Sequence, residues 1–184
     1  MKKALLLSIA LLLVAGAVNA QTGYIGLFTG EDHSNWCATG VGFYPVEMWI
    51  LCLPGVLGQI CAEFMICYPV NVIQSTTTWN TSLISVSLGD LASGLSVCYI
   101  VCQYDWHWIA HQLIYVTNAD QTVVYVCVHP DVGVYQFSNC EPGYPLEMCT
   151  VYTNLYLNYA PPDPECMGTA TAEASWGAIK SMIE

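Results

Sequence analysis

Met148-Cys-Thr-Val-Tyr-Thr-Asn-Leu-Tyr-Leu-Asn-Tyr159 decides the fold of this chain. Cys149, Val151, Thr153, Leu155, Leu157 and Tyr159 make one set of alternate positions; Met148, Thr150, Tyr152, Asn154, Tyr156 and Asn158 make the other. A period of two belongs to a strand, whose successive side chains point to opposite sides. The first set is predicted to enter a core and the second to meet solvent or a ligand.

The same signal recurs upstream. In 59–68, Ile60, Ala62, Phe64, Ile66 and Tyr68 form a second inner face. Runs rich in Val, Ile, Thr, Tyr and Trp, broken by Gly, Pro, Asn and Asp, predict strands at 23–28, 46–53, 59–68, 71–79, 82–88, 94–102, 107–117, 122–129, 133–139 and 148–159. Short, evenly spaced strands predict an all-β, disulfide-rich, two-sheet antiparallel sandwich, whether immunoglobulin-like, cohesin-like or jelly roll. Asn118-Ala-Asp-Gln121 is predicted to close a hairpin between 107–117 and 122–129, which pairs His111 with Val128. Tyr44-Pro-Val-Glu-Met48 and Tyr144-Pro-Leu-Glu-Met148 echo each other, and each is read as opening a strand.

The N-terminus reads as a bacterial-type export signal. Lys2 and Lys3 precede an uncharged stretch from Ala4 to Val18, and Val18-Asn-Ala20 supplies short side chains for a signal peptidase. The apolar stretch is shorter than the roughly 20 residues that span a bilayer. We expect residues 1–20 to be removed, 21–166 to form one domain, and 167–184 to be a flexible tail. In that tail Trp176, Ile179, Met182 and Ile183 fall at helical spacing. The expected location is periplasmic, extracellular or cell-surface, without membrane insertion after cleavage.

Charge narrows the partners. All 14 acidic residues follow position 20, whereas of the 3 basic residues only Lys180 does, so the mature chain carries about −13. Such a chain cannot neutralise phosphates, which excludes nucleic acid and disfavours anionic membranes. The acidity itself keeps a very apolar secreted protein dispersed.

The 10 cysteines, Cys37, Cys52, Cys61, Cys67, Cys98, Cys102, Cys127, Cys140, Cys149 and Cys166, are even in number and all follow the signal. Without any C-x-x-C spacing they read as a disulfide framework of up to five bridges rather than a metal centre. On extended strands Cys61 and Cys67 lie about 20 Å apart, and Cys98 and Cys102 about 13 Å. Bridged Cα atoms sit within about 7 Å, so each of these four must find a partner elsewhere.

Four constellations are candidates for chemistry. His107 and His111 are four apart; on a strand they cannot share a metal, so they read as packed histidines. Glu47 and Glu147 occupy equivalent places in the two echoes and could serve a glycosidase if their carboxyls lay about 5–10 Å apart. Glu31-Asp-His-Ser-Asn35 offers oxygen ligands without calcium-loop periodicity. No G-x-S-x-G elbow or Gly-rich phosphate loop occurs, so neither that nucleophile nor a cofactor is expected. The aromatics carry most weight: Trp 6, Tyr 12 and Phe 4 all lie in the mature chain. Tyr152, Asn154, Tyr156 and Asn158, on one strand face, form the expected ligand-binding set for a glycan or protein. The plainer reading is that these tyrosines pair with neighbouring strands.

The tail Ser175-Trp-Gly-Ala-Ile-Lys180 is similar to the endings of secreted bacterial proteins with Cys-rich, strand-rich bodies. Ile60-Cys-Ala-Glu-Phe-Met-Ile-Cys-Tyr-Pro69, leading into Asn71-Val-Ile, resembles the early strands of cohesin-like and adhesin-like sandwiches. The resemblance implies a secreted or cell-surface β-sandwich. The many cysteines depart from ordinary cohesin-like modules, so dockerin binding is not carried over. The expected function is a non-catalytic binding or structural module, with a glycosidase using Glu47 and Glu147, or a matrix or appendage subunit, as alternatives.

Overall fold

The computed structural model describes residues 22–40, 44–159 and 163–166. The expected export signal and helical tail lie outside them. Among the described residues twelve strands form: β1 (Gly23–Phe28), β2 (Cys37–Ala38), β3 (Pro45–Leu53), β4 (Gln59–Cys67), β5 (Val72–Trp79), β6 (Ile84–Asp90), β7 (Gly94–Gln103), β8 (His107–Val116), β9 (Thr122–Cys127), β10 (Gln136–Ser138), β11 (Leu146–Thr153) and β12 (Leu155–Leu157). They fall where the β-branched and aromatic runs predict them. β2 has no counterpart among the predictions, and the last predicted strand is divided at Asn154.

Hydrogen bonding joins the strands in one path, β2-β12-β9-β4-β10-β11-β1-β3-β8-β5, with β7 and β6 branching from β4. The registers show that three of the lanes are built from two strands each. β9 and β10 run antiparallel to the same side of β4, with Cys127 opposite Met65 and Gln136 opposite Glu63. Residues 128–135 therefore leave a lane and rejoin it. β11 and β12 share the next lane, and β1 and β2 the one after, with 29–36 looped out between them. The lanes curl around a core of Ile25, Leu27, Met48, Ile50, Phe64, Ile66, Leu95, Val97, Ile114, Val124 and Leu155.

Two expectations need correction. The sandwich is mixed, not wholly antiparallel, because β11 and β12 lie parallel to β1 and β2. Parallel neighbours cannot be joined by a tight turn, and here most of the domain separates them in sequence. Residues 118–121 close no hairpin: β8 pairs with β3 and β5, and β9 with β4 and β12. Both strands have an apolar side to bury, Ala110, Ile114 and Val116 on one and Val124 and Val126 on the other. Placing them in different layers buries both. Asn71 Nδ2 fixes the crossing by donating to Asn118 Oδ1 and Thr122 Oγ1, and Asn158 Nδ2 donates to the Asn118 and Asp120 carbonyls.

Four disulfides form: Cys37–Cys166, Cys61–Cys98, Cys67–Cys127 and Cys102–Cys140. As the strand spacing predicts, neither Cys61/Cys67 nor Cys98/Cys102 closes on itself. A fifth bridge is absent, because Cys52 and Cys149 are buried thiols. Cys52 pairs with Ile25 on one side of β1, and Cys149 with Gly23 on the other. Two lanes span about 9.6 Å, beyond the roughly 7 Å that a bridge tolerates.

Candidate functional site

The outward side of β6, β7, β4, β10 and β11 presents two rows that the register places side by side. One runs Leu88, Ser96, Glu63, Gln136, Met148; the other runs Val86, Cys98, Cys61, Ser138, Leu146. In the first row Glu63 is held between two neutral donors. Ser96 Oγ donates to its Oε1 at 3.0 Å, and Gln136 Nε2 donates to its Oε2. The Cys61–Cys98 bridge lies beside it. Together these groups line a depression of about 220 Å³ with Ala62, Phe137, Ser138 and Leu146. At the two ends of the rows stand exposed apolar side chains: Val86 at 51%, Leu88 at 66%, Leu146 at 63% and Met148 at 64%.

Of these groups only the bridging cysteines and Met148, in the outward set of 148–159, figured in the expectations from sequence. The signal was available in 59–68, where Cys61, Glu63, Met65 and Cys67 alternate with the inner apolar set. Which other strands flank Glu63 depends on long-range pairing, which no local pattern records.

The expected set of Tyr152, Asn154, Tyr156 and Asn158 is divided between two regions. β11 bulges at Tyr152, since Val151 and Thr153 pair with the consecutive residues Ile25 and Gly26. The Tyr152 ring turns out over β1 and meets Tyr24, Phe28, Trp36 and Trp106, with centroids 5.8, 5.9, 6.4 and 5.5 Å away. His33, from the looped-out segment, stacks on Trp106 at 4.7 Å. Asn154 and Asn158 are occupied in holding the chain: Asn154 Oδ1 accepts from Val126 N, and Asn158 Oδ1 from Gly40 N. Tyr156 packs on Tyr159. Burial and the neighbouring Glu165 hold its phenol above the usual range.

The two glutamates do not converge. Glu47 lies beyond the Phe28 end of β1 and Glu147 beyond the Gly23 end, a separation of about 30 Å along the lanes. Glu47 Oε2 accepts from Trp49 Nε1, and Glu147 Oε1 from Asn139 Nδ2. The shared hydrolytic site considered from sequence is therefore absent as a geometry.

The histidines separate too. β8 carries an extra residue at Ile109, because Ala110 and Trp108 pair with the consecutive Ile50 and Leu51. That bulge sends His107 inward and His111 outward. His111 stacks on Trp49 at 4.7 Å. His107 packs edgewise on Tyr99 at 4.8 Å, with Nδ1 3.0 Å from the Asp105 carbonyl. Burial pushes it down to about 4, so it is neutral at neutral pH. Across from it, Gln59 Nε2 donates to Tyr99 Oη at 3.1 Å. Gln59 Oε1 and His107 Nε2 make no hydrogen bond. In the 31–35 loop Asp32 accepts from Ser34 Oγ and Asn35 exchanges bonds with the Cys37 backbone. Among the described residues no group of three or more His, Cys, Asp or Glu is placed to hold a metal ion.

The lanes and their two faces define a cohesin-like β-sandwich. The chain is similar to the sixth cohesin of scaffoldin B from Acetivibrio cellulolyticus, solved in complex with a dockerin, at 11% identity and a TM-score of 0.52. That match covers 76% of this chain and 100% of the cohesin. It is also similar to the cohesin module of a family 33 glycoside hydrolase from Clostridium perfringens, at 11% identity and TM-score 0.53, covering 75% and 98%. Neither the protein-family models nor the curated proteins give a match to this sequence.

Proposed function

We propose that this chain is a secreted, non-catalytic module that docks a partner protein on the outward side of β6, β7, β4, β10 and β11. The observation that carries the reading is the exposed set Val86, Leu88, Leu146 and Met148 bracketing a preorganised polar strip. Apolar side chains around a few fixed hydrogen-bonding groups are what a protein interface asks of a surface. The strip rests on a bridged, register-locked sheet, so binding orders little that is not already ordered. The cohesin in complex with a dockerin supports a protein ligand for this fold.

The test is capture of extracellular partners by the exported chain carrying a photo-crosslinker at Leu88 or Met148. Leu88→Asp with Met148→Asp is expected to abolish capture while the unfolding free energy stays within about 0.5 kcal/mol, as for exposed sites. Undiminished capture would remove this face from consideration.

A glycan ligand on the other side of the sandwich is the second reading. It is favoured by the half-exposed Trp36, Trp106 and Tyr152 rings. Solvent-exposed aromatic ring faces suit sugar stacking. Binding on a glycan array that disappears in Trp106→Ala would select it.

A further inference from the structure

We infer that the depression at Glu63 receives one cationic side chain, a lysine or arginine of the partner, so that the docking surface selects segments with a base set between apolar anchors. The inference rests on the docking face proposed above and specifies what fits its centre.

Charge is the first argument. Among the outward residues of the two rows Glu63 is the one ionisable side chain other than the bridged cysteines. The basic residues of the chain are Lys2, Lys3 and Lys180, and none lies among the described residues. Among the described residues, therefore, no lysine or arginine stands at this face. A half-buried carboxylate that loses water beneath a partner must be compensated, or docking is opposed by several kcal/mol. A lysine or arginine of the partner would do this.

Geometry is the second argument. Ser96 and Gln136 each use a single donor, which leaves lone pairs on both Glu63 oxygens for an incoming ammonium or guanidinium. These bonds also fix the carboxylate in one orientation before the cation arrives. The depression of about 220 Å³ offers apolar walls at Leu146 and the disulfide, while the side chains of Ala62 and Phe137 enter the core beneath it. A lysine or arginine stem can bury its methylenes there while its head reaches the carboxylate. Leu88 and Met148 each stand two lanes from Glu63, about 10 Å to either side, where apolar neighbours of the base would land.

The test pans a phage library of random 16-residue peptides on the exported chain. The expected binders carry a lysine or arginine near apolar residues and lose about 10- to 100-fold in affinity when that base becomes norleucine or citrulline. The same loss is expected with Glu63→Gln. Ser96→Ala, which keeps the charge, is expected to retain binding within a few-fold. Binders that need Leu88 and Met148 but contain no base, or that hold Glu63→Gln equally well, would overturn the cation while leaving the face intact. Binders indifferent to Leu88→Asp with Met148→Asp would overturn the face, and the cation with it. A library that yields no binder counts against both.

Discussion

Cys61 and Cys98 stand directly opposite each other on β4 and β7, their Cα atoms 4.0 Å apart, and their bridge forms one wall of the Glu63 depression. The bridge closes a span of 37 residues. Loop-closure arguments put its worth at about 2–4 kcal/mol. Cys61→Ala with Cys98→Ala is expected to lower the unfolding free energy by that amount in urea titration. The three other bridges keep the fold. Partner capture should weaken as well, since the wall of the depression is lost.

Thiol chemistry distinguishes four bridges from five. Cys52 and Cys149 are buried, and burial pushes the Cys149 thiol up to about 12 and the Cys52 thiol up as well. At pH 8 neither forms the reactive thiolate. A disulfide-exchange reagent is expected to find no thiol in the native protein and two per chain in guanidinium without reductant. A sign follows for stability. Both values are raised on folding, so their contribution is intact below about pH 9 and lost as the pH rises above it. Chemical denaturation from pH 7 to 10.5 should show the decline.

His107 predicts an acid response of opposite slope. Its folded value of about 4 lies below the ordinary 6.5, so the unfolded chain binds the extra proton between those values. Stability is full above about pH 6.5 and falls as the pH drops towards 4, by roughly 3 kcal/mol in all. His107→Phe should flatten this part of the profile. The carboxyls of Asp32 and Asp90 are held low by hydrogen bonds from Ser34 and Ser93, so their contributions are lost below about pH 4. Proton uptake on unfolding, measured by the pH dependence of the midpoint, separates the two windows.

Tyr152→Ala tests whether the aromatic side is packing or contact surface. The ring touches four other aromatic residues, so its loss should cost about 1–3 kcal/mol. Capture through Leu88 and Met148 is expected to remain, because sites that share no contacts act independently. Measuring melting and capture on the same preparation decides the point.

The sandwich was legible in the sequence because β-strands that bury one side carry an audible period of two. Ala62, Phe64 and Ile66 in β4 and Thr153, Leu155 and Leu157 in β11 and β12 are buried as the alternation predicts. What depends on pairing was hidden. The arch at 118–121 and a hairpin use similar turn residues, and only the competition of two layers for Val124 and Ile114 decides between them. Cys52 and Cys149 look like the other eight cysteines until β1 is placed between them. Bulges at Tyr152 and Ile109 shift single side chains in ways the alternation does not foretell. The Glu63 strip needed five lanes from distant parts of the chain, so no short motif announces it.

The excursion at 128–135 gives the domain a port for engineering. Each half of its lane is registered independently, one against Met65–Cys67 with the Cys67–Cys127 bond behind it, the other against Cys61–Glu63. Extra residues spliced after Gly133, an exposed turn with φ of +75°, need disturb neither register. An epitope or reporter grafted there would ride on the scaffold as cargo.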